Sequence, residues 1–75
     1  MQIKLKLMGM LKSKEPPDKL LEIEEGATIE SVLHRLEIPV ESVAVFTVNG
    51  RLTRDRAHAL AAGDELSILP PVGGG

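Results

Sequence analysis

A single amphipathic stripe limits how this chain can fold. Four apolar residues repeat at the three- and four-residue spacing of one helical face: Ile29, Val32, Leu33 and Leu36. Thr28 stands where its hydroxyl can cap the helix, and Pro39 stops the helix on the other side. A helix of about two turns is marginal alone, so it has to lie against a sheet. One helix covers one face, so we expect the other face of the sheet to stay open.

Alternating polar and apolar residues predict the strands of that sheet. Residues 2–7 alternate strictly, and residues 21–24 and 65–69 repeat the pattern more briefly. We expect the first and last strands to lie side by side as a parallel pair at the centre of the sheet. The sequence therefore predicts an α+β fold, a mixed four- or five-stranded sheet packed on one main helix.

The middle of the chain predicts a hairpin. Residues 42–48 are rich in β-branched side chains, and Asn49-Gly50 is a strong turn signal before a short strand at Arg51-Leu52. The strand 42–48 is apolar on both faces. Because Phe46 is its bulkiest residue, we expect the face of Phe46, with Ala44 and Val48, to point to the core.

Two segments are predicted to connect these elements without strands. Residues 8–17 contain glycine, serine and two prolines, which indicates a loop. Within it we expect the apolar residues Met8, Met10 and Leu11 to tuck under the sheet edge, in preference to staying exposed for a partner. Residues 55–62 are rich in alanine and are predicted to form one helical or 3₁₀ turn anchored by Leu60.

The open face of the sheet is predicted to carry an apolar surface. Its strand residues, continued by the segment after the last strand, are Val43, Val45, Thr47, Ser67, Leu69, Pro70, Pro71 and Val72. A contiguous apolar surface beside a chain terminus is typical of a docking site, and we predict partner docking here. The alternative is a set of scattered surface apolar residues, which are normal in proteins.

The C-terminal segment carries the strongest functional signal. Pro70 and Pro71 cannot donate ladder hydrogen bonds, so they end the last strand. Gly73, Gly74 and Gly75 add no side chains and fit a narrow channel, where the terminal carboxylate of Gly75 could reach another protein's active site. We therefore divide the chain into a folded domain, residues 1–72, and a flexible glycine tail, residues 73–75. A frayed terminus is the alternative reading.

Other kinds of site find little support. The chain has no cysteine, and its two histidines, His34 and His58, stand far apart, so we expect no metal site and no catalytic site. A net charge of -2 and the single aromatic residue Phe46 argue against nucleic-acid binding. No apolar run of about twenty residues is present, so we expect no membrane span and a cytoplasmic location. Five of the nine basic residues lie in the first twenty positions, which a solvated face explains at least as well as a partner.

The whole chain resembles the MoaD/ThiS family of ubiquitin-like sulfur carriers, which have a β-grasp fold. Three internal motifs carry the resemblance: Gly26-Ala27-Thr28-Ile29, Val48-Asn49-Gly50 and Ala62-Gly63-Asp64-Glu65-Leu66. Pro70-Pro71-Val72 before Gly74-Gly75 is most similar to the small subunit of molybdopterin synthase. Gly73 departs from the family, which often has alanine there, and Met8 and Met10 stand where the family has an early aromatic residue.

The resemblance implies a mechanism and partners. A ubiquitin-activating-type adenylating enzyme would use ATP to convert the Gly75 carboxylate to an acyl-adenylate, and a sulfur donor would convert that to a thiocarboxylate. The tail, with Gly73 and Gly74, would then thread into the large subunit of molybdopterin synthase, which takes the sulfur for the cofactor of molybdenum or tungsten. No bound cofactor is implied for the carrier itself.

Three alternatives stay open at this point. The chain could carry sulfur for thiamin or another sulfur-containing metabolite, or it could be a ubiquitin-like modifier joined through Gly75 to lysines of other proteins. The third is an interaction module with an inert tail. Complementation, recovery of Gly75 isopeptides and deletion of Gly74-Gly75 would separate these alternatives.

Overall fold

The fold is built on one mixed sheet. A computed structural model describes residues 1–71, and within them five strands take the order β2-β1-β5-β3-β4. The strands and the helix are β1 (Gln2–Leu7), β2 (Leu20–Glu22), α1 (Ile29–Leu36), β3 (Val45–Val48), β4 (Arg51–Thr53) and β5 (Glu65–Leu69). Two 3₁₀ helices, Gly9–Lys14 and Val40–Ser42, lie between them. The α+β class is therefore confirmed, with five strands.

The first and last strands form the predicted parallel pair at the centre. β1 and β5 run parallel, with Leu5 beside Leu66 and Leu7 beside Ile68. β2 pairs antiparallel with the free side of β1, and β3 pairs antiparallel with the free side of β5. Every second residue of β1 is buried because the residues between them face the opposite side of the sheet. The last strand is thus held by hydrogen bonds along both edges.

Helix α1 begins and ends as its sequence requires. The Thr28 hydroxyl accepts a hydrogen bond from the Ser31 N–H (3.2 Å), and the Ser31 hydroxyl oxygen accepts one from the Thr28 N–H (2.9 Å). This reciprocal capping box satisfies two backbone donors at the helix start. Glu37 ends the helix in the left-handed conformation (φ 57°), before Pro39 is reached. The predicted cap and stripe are both confirmed.

The core lies between α1 and one face of the sheet. It is made of aliphatic side chains and one phenylalanine: Ile3, Leu5, Leu7, Leu11, Leu21, Ile23, Ile29, Val32, Leu33, Ile38, Phe46, Val48, Leu60, Leu66 and Ile68. Phe46 and Leu60 take the inward positions predicted for them. Asn49 and Gly50 form the expected turn, with positive φ at both residues (53° and 85°).

The prediction of a helical turn in residues 55–62 is wrong. The segment makes turns and one isolated bridge, between Thr28 and Ala59. Its carbonyls instead serve α1, since the Arg56 oxygen accepts from the Glu30 N–H (2.9 Å) and the His58 oxygen accepts from the Ile29 N–H (3.1 Å). The first N–H groups of a helix lack partners inside the helix. Satisfying them outweighs the helical preference of the alanines.

The prediction for the loop after β1 is also wrong in part. Residues 9–14 form a 3₁₀ helix, and Leu11 points inward with 4% of its surface exposed. Met8 and Met10 do not tuck under the sheet, since 37% and 77% of their surfaces are exposed. Leu11, which follows both methionines, is therefore the only one of these three apolar residues that is buried as predicted.

Strand β3 is shorter than predicted at its start. The chain makes a 3₁₀ turn at Val40–Ser42, so the strand alternation begins only at Val45. As a result Ala44 is exposed instead of pointing to the core, and Val43 packs against the core instead of lying on the open face. The predicted boundary between a domain ending at Val72 and the glycine tail lies outside the described residues.

Candidate functional site

The open face of the sheet brings the predicted docking residues of two strands together. Val45 pairs with Leu69, and Thr47 pairs with Ser67, so these four side chains share the face that α1 leaves uncovered. Val45, Thr47 and Leu69 are half-buried, while Ser67 is only 9% exposed because it sits between neighbouring strands. Of the strand residues predicted for this surface, only Val43 lies elsewhere.

Two further apolar residues lie on this face: Leu52, which the sequence reasoning missed, and Met8, which it expected to tuck under the sheet edge. Leu52 lies opposite Thr47 in β4, and 65% of its surface is exposed. Met8 continues the outward alternation of β1, and its N–H approaches the Ile68 carbonyl oxygen (3.3 Å) at the end of β5. We call Met8, Val45, Thr47, Leu52 and Leu69 the open-face patch. The hairpin turn at Asn49-Gly50 was the available signal for Leu52, since it sets which residues of the two strands are opposite.

The chain leaves the sheet at Pro70, beside the open-face patch. The Leu69 carbonyl oxygen accepts from the Ala44 N–H (2.8 Å), which is the last of the bonds that hold this end of β5. Pro70 is half-buried, and Pro71 is exposed. Of the predicted tail and docking residues, Val72, Gly73, Gly74 and Gly75 lie outside the described residues.

A close approach holds the loop after β1 against this exit. Gly9 has a positive φ (56°), and a Cβ placed on it would lie 3.0 Å from Cγ of Pro70. Only a glycine combines that backbone conformation with that contact at no strain. The start of the 3₁₀ helix Gly9–Lys14 therefore packs directly beside Pro70, where the chain leaves the sheet, a relationship that the sequence pattern does not reveal.

The side chain of Glu15 closes the same loop. Its Oε2 accepts a hydrogen bond from the Leu7 N–H (2.8 Å), and its own N–H donates to the Lys12 carbonyl oxygen (3.0 Å). β2 pairs only as far as Lys4 by register, so the end of β1 lacks a strand partner on that side. The Glu15 carboxylate supplies the missing acceptor, and it ties the loop to the central strand.

At the opposite end of the sheet, Asn49 and Asp64 lock two turns together. The Asn49 side-chain amide donates to Oδ1 of Asp64 (2.9 Å), and its side-chain oxygen accepts from the Glu65 N–H (2.9 Å). Oδ2 of Asp64 accepts from the Ala61 N–H (2.8 Å). The bond from Ala61 and then that from Asn49 lower the pKa of Asp64 below its ordinary value. This network fixes the start of β5, the strand that precedes the C-terminal segment.

Residues 1–71 contain no group of three or more His, Cys, Asp or Glu side chains placed to hold a metal ion. A shallow depression of about 440 Å³ runs along α1, and its lining includes the ion pair of Arg56 with Glu30 in the first turn of the helix (3.3 Å). The other lining residues are Leu33, His34, Glu37, Ile38, Pro39 and Val40. None of the helices in residues 1–71 is long and apolar enough to span a membrane.

A five-stranded mixed sheet with a central parallel pair and one helix across one face is the β-grasp fold of ubiquitin-like proteins. The sequence profile of the ThiS family matches residues 5–75. The chain therefore belongs to the ThiS family, within the ubiquitin-like sulfur carriers that the sequence resembles. Among curated protein sequences, none is significantly similar to the chain.

Solved structures with the same fold include three relatives of low sequence identity. Small archaeal modifier protein 1 (SAMP1) from Haloferax volcanii is 22% identical over 100% of both chains, with a TM-score of 0.72. A protein described as molybdopterin converting factor, subunit 1, from Pyrococcus furiosus is 22% identical over 96% of this chain and 99% of its own, with a TM-score of 0.72. A chain in the complex of subunits 1 and 2 of molybdopterin-converting factor from Helicobacter pylori is 21% identical over 100% of both chains, with a TM-score of 0.62.

Proposed function

We propose that this protein carries sulfur as a thiocarboxylate on Gly75 and donates it for molybdopterin, the pterin of the molybdenum and tungsten cofactors. One observation carries the proposal. The family match includes Gly75, and the strand that precedes the C-terminal segment lies at the centre of the sheet, which the chain leaves at Pro70. Because β5 is hydrogen-bonded to a strand on each side, the position at which the chain leaves the sheet is fixed relative to the rest of the domain. A partner that binds the domain can therefore receive the C-terminal residues at a defined place.

The chemistry needs activation by a partner. A carboxylate is a poor electrophile, so an adenylating enzyme joins an oxygen of the Gly75 carboxylate to the α-phosphorus of ATP and releases pyrophosphate. Hydrosulfide supplied by a sulfur donor then attacks the acyl carbon, the bond from that carbon to the AMP oxygen breaks, AMP leaves, and the thiocarboxylate remains. Because Gly73, Gly74 and Gly75 have no side chains, the partner's backbone and nucleotide can approach the reacting carbon closely.

The partners follow from the same surface. We propose that the open-face patch, with Pro70, Pro71 and Val72, docks both the adenylating enzyme and the large subunit of molybdopterin synthase. The Helicobacter pylori relative, which is part of a complex of subunits 1 and 2, supports a large-subunit partner. An exposed apolar surface at the root of the tail suits a carrier that must bind two enzymes in turn.

Intact-mass spectrometry tests the proposal. The full chain is incubated with its cognate adenylating enzyme, ATP and a sulfur donor. We expect a species heavier by the difference between one sulfur and one oxygen atom, located at Gly75 by fragmentation. A chain lacking Gly74 and Gly75 is the control and should stay unmodified. If the intact chain is not modified while a known carrier is modified under the same conditions, the proposal is wrong.

Two related functions have support from the comparisons. The matched profile is that of the ThiS family, which favours a carrier for thiamin or another sulfur metabolite as the alternative pathway. The likeness to small archaeal modifier protein 1 favours conjugation of Gly75 to lysines of other proteins. Complementation of strains that lack one carrier or the other separates the pathways, and recovery of Gly75 isopeptides from cells identifies a modifier.

A further inference from the structure

The charges of the chain are divided unevenly along the sequence. All five lysines lie in the first 19 residues, together with only two carboxylates, Glu15 and Asp18. The remaining 56 residues carry nine carboxylates and four arginines. A protein with a formal net charge of -2 thus has one strongly basic segment, formed by β1, the first 3₁₀ helix and the turn into β2.

The fold collects these lysines beside the open-face patch. Lys4 and Lys6 point outward from β1 on the open face, and the Lys19 carbonyl oxygen accepts from the Leu5 N–H (2.8 Å), which places Lys19 at the adjoining edge. These three residues line one shallow depression of about 310 Å³ together with Leu5, Asp18, Leu20 and Glu65. Lysines therefore outnumber carboxylates in this part of the surface, whereas the open-face side chains of β3 and β4 are mostly apolar.

Lys12 and Lys14 extend the basic region to the root of the tail. Both are exposed on the 3₁₀ helix Gly9–Lys14. That helix is fixed by the Glu15 carboxylate on the Leu7 N–H and by the contact of Gly9 with Pro70. These charges are consequently held near the point at which the chain leaves the sheet. We call Lys4, Lys6, Lys12, Lys14 and Lys19 the lysine face.

Asp18 and Glu65 lie near the lysine face, but no lysine of this face forms an ion pair within the described residues. The ion pairs among residues 1–71 involve the N-terminal amine with Glu22 and Arg56 with Glu30, and none involves a lysine. Glu65 neighbours Lys4 across the strands without forming an ion pair by distance. Five of the remaining carboxylates lie on α1 or on the segments next to it, Glu24, Glu25, Glu30, Glu37 and Glu41, whereas Glu22 and Glu65 lie on strands of the sheet.

From this arrangement we propose that the lysine face steers the carrier onto an acidic rim around the entrance of the tail channel in its adenylating enzyme. The proposal rests on the sulfur-carrier function proposed above and adds the charge of the partner's surface. Exposed charges beside an interface accelerate encounter and orient it, while the apolar patch supplies the contact area. Lysines suit this role because their charge sits on a long flexible chain that needs no fixed geometry.

The experiment measures the association rate of the full chain with its cognate adenylating enzyme by stopped-flow fluorescence. The test variants are Lys4→Gln/Lys6→Gln and Lys12→Gln/Lys14→Gln. The matched control is Arg35→Gln/Arg56→Gln, which removes the same number of positive charges from the helical layer. Thermal unfolding of each variant accompanies the measurement, because both control arginines make contacts in the fold: Arg35 with the Glu22 carbonyl and Arg56 with the Glu30 carboxylate.

We expect each lysine pair to slow association by roughly tenfold at low salt and the arginine pair to have little effect. The difference should shrink as ionic strength rises from about 0.05 M to about 0.5 M, since surface charges are then screened. If wild-type chain is adenylated and the lysine variants associate as fast as the control, the lysine face is only a solvated surface and the inference is wrong. If the enzyme does not adenylate wild-type chain, the proposed function and the inference both fail.

Discussion

Gly9 leaves the space that the ring of Pro70 fills: a Cβ on Gly9 would lie 3.0 Å from Cγ of Pro70, and φ at Gly9 is 56°. This contact joins the loop after β1 to the first residue beyond β5. The loop position and the exit direction of the tail are therefore coupled. Sequence alone marks Gly9 as a loop residue and Pro70 as a strand terminator, without relating the two.

The Gly9→Ala variant tests this coupling. We expect a loss of about 1–2 kcal/mol in the free energy of unfolding from left-handed backbone strain, with a further loss because Pro70 has to shift by a few tenths of an ångström. The measurement is urea unfolding, together with the chemical shifts of Leu69 and the residues after it. Adenylation of Gly75 should slow if the exit direction matters to the partner.

Gly26→Ala is the matched control for that variant. Gly26 also has a positive φ (84°), but nothing lies within 4 Å of a Cβ built on it. It should lose stability by backbone strain alone and leave the signals near Pro70 unchanged. Equal effects of the two substitutions on those signals and on adenylation would show that the contact between Gly9 and Pro70 has no role in placing the tail.

Glu15 should hold the loop through a single side-chain bond. We expect Glu15→Ala to cost about 1–3 kcal/mol, since it leaves the Leu7 N–H without the charged acceptor that lies 2.8 Å away. Hydrogen exchange of the Leu7 amide measures the effect directly and should accelerate. Glu15→Gln keeps a side chain of the same length with one acceptor oxygen, so it should restore part of the protection of the Leu7 amide from exchange. If the Leu7 amide exchanges as slowly in the alanine variant as in wild type, the Glu15 side chain does not stabilise it.

Local patterns were sufficient to predict the framework of the fold. The alternation of residues 2–7 and the stripe of α1 each reflect burial of one face, which sequence records directly. The positions of Val45 and Thr47 followed from the inward placement of Phe46. These features depend on few long-range contacts, so local reasoning predicts them. The parallel central pair is a long-range contact between the first and last strands, and it was predicted from the order of the elements, since each of these strands needs a neighbour.

The features that were missed depend on contacts between distant segments. Residues 55–62 cap α1 through the carbonyls of Arg56 and His58 instead of forming their own turn of helix. Leu52 became part of the open-face patch only through its register with Thr47. The propensity of a single segment cannot predict contacts of this kind, because tertiary contacts override weak local preferences for helix or strand.

Stability should depend on pH through Asp64. Hydrogen bonds from Ala61 and Asn49 lower the pKa of Asp64 in the folded protein below its ordinary value of 3.8. A lowered folded pKa means that the contribution of Asp64 is fully present above 3.8 and is lost as pH falls below it toward the lowered folded pKa. Urea unfolding of wild type between about pH 2 and pH 6 should therefore show a decline in this acidic window.

The Asp64→Asn variant isolates that contribution. An asparagine keeps one oxygen that can accept from the Ala61 N–H, but it cannot ionise. We expect it to be less stable than wild type near neutral pH and to show a smaller decline in the acidic window. If the variant and wild type decline in parallel, other carboxylates cause the acid sensitivity, and the network of Asn49 and Asp64 is not its source.

Leu52 should matter for docking and little for folding. With 65% of its surface exposed at the edge of the sheet, Leu52→Ser should change the free energy of unfolding by no more than about 0.5 kcal/mol. The side chain extends the open-face patch beyond Thr47, so we expect its loss to weaken binding of the adenylating enzyme several-fold. Val40→Ser is the matched control, because Val40 is also exposed (44%) but lies beside the end of α1. Titration calorimetry measures the affinity of both variants for the adenylating enzyme. An equal loss of affinity in both variants, or no loss in Leu52→Ser, would place the docking surface elsewhere.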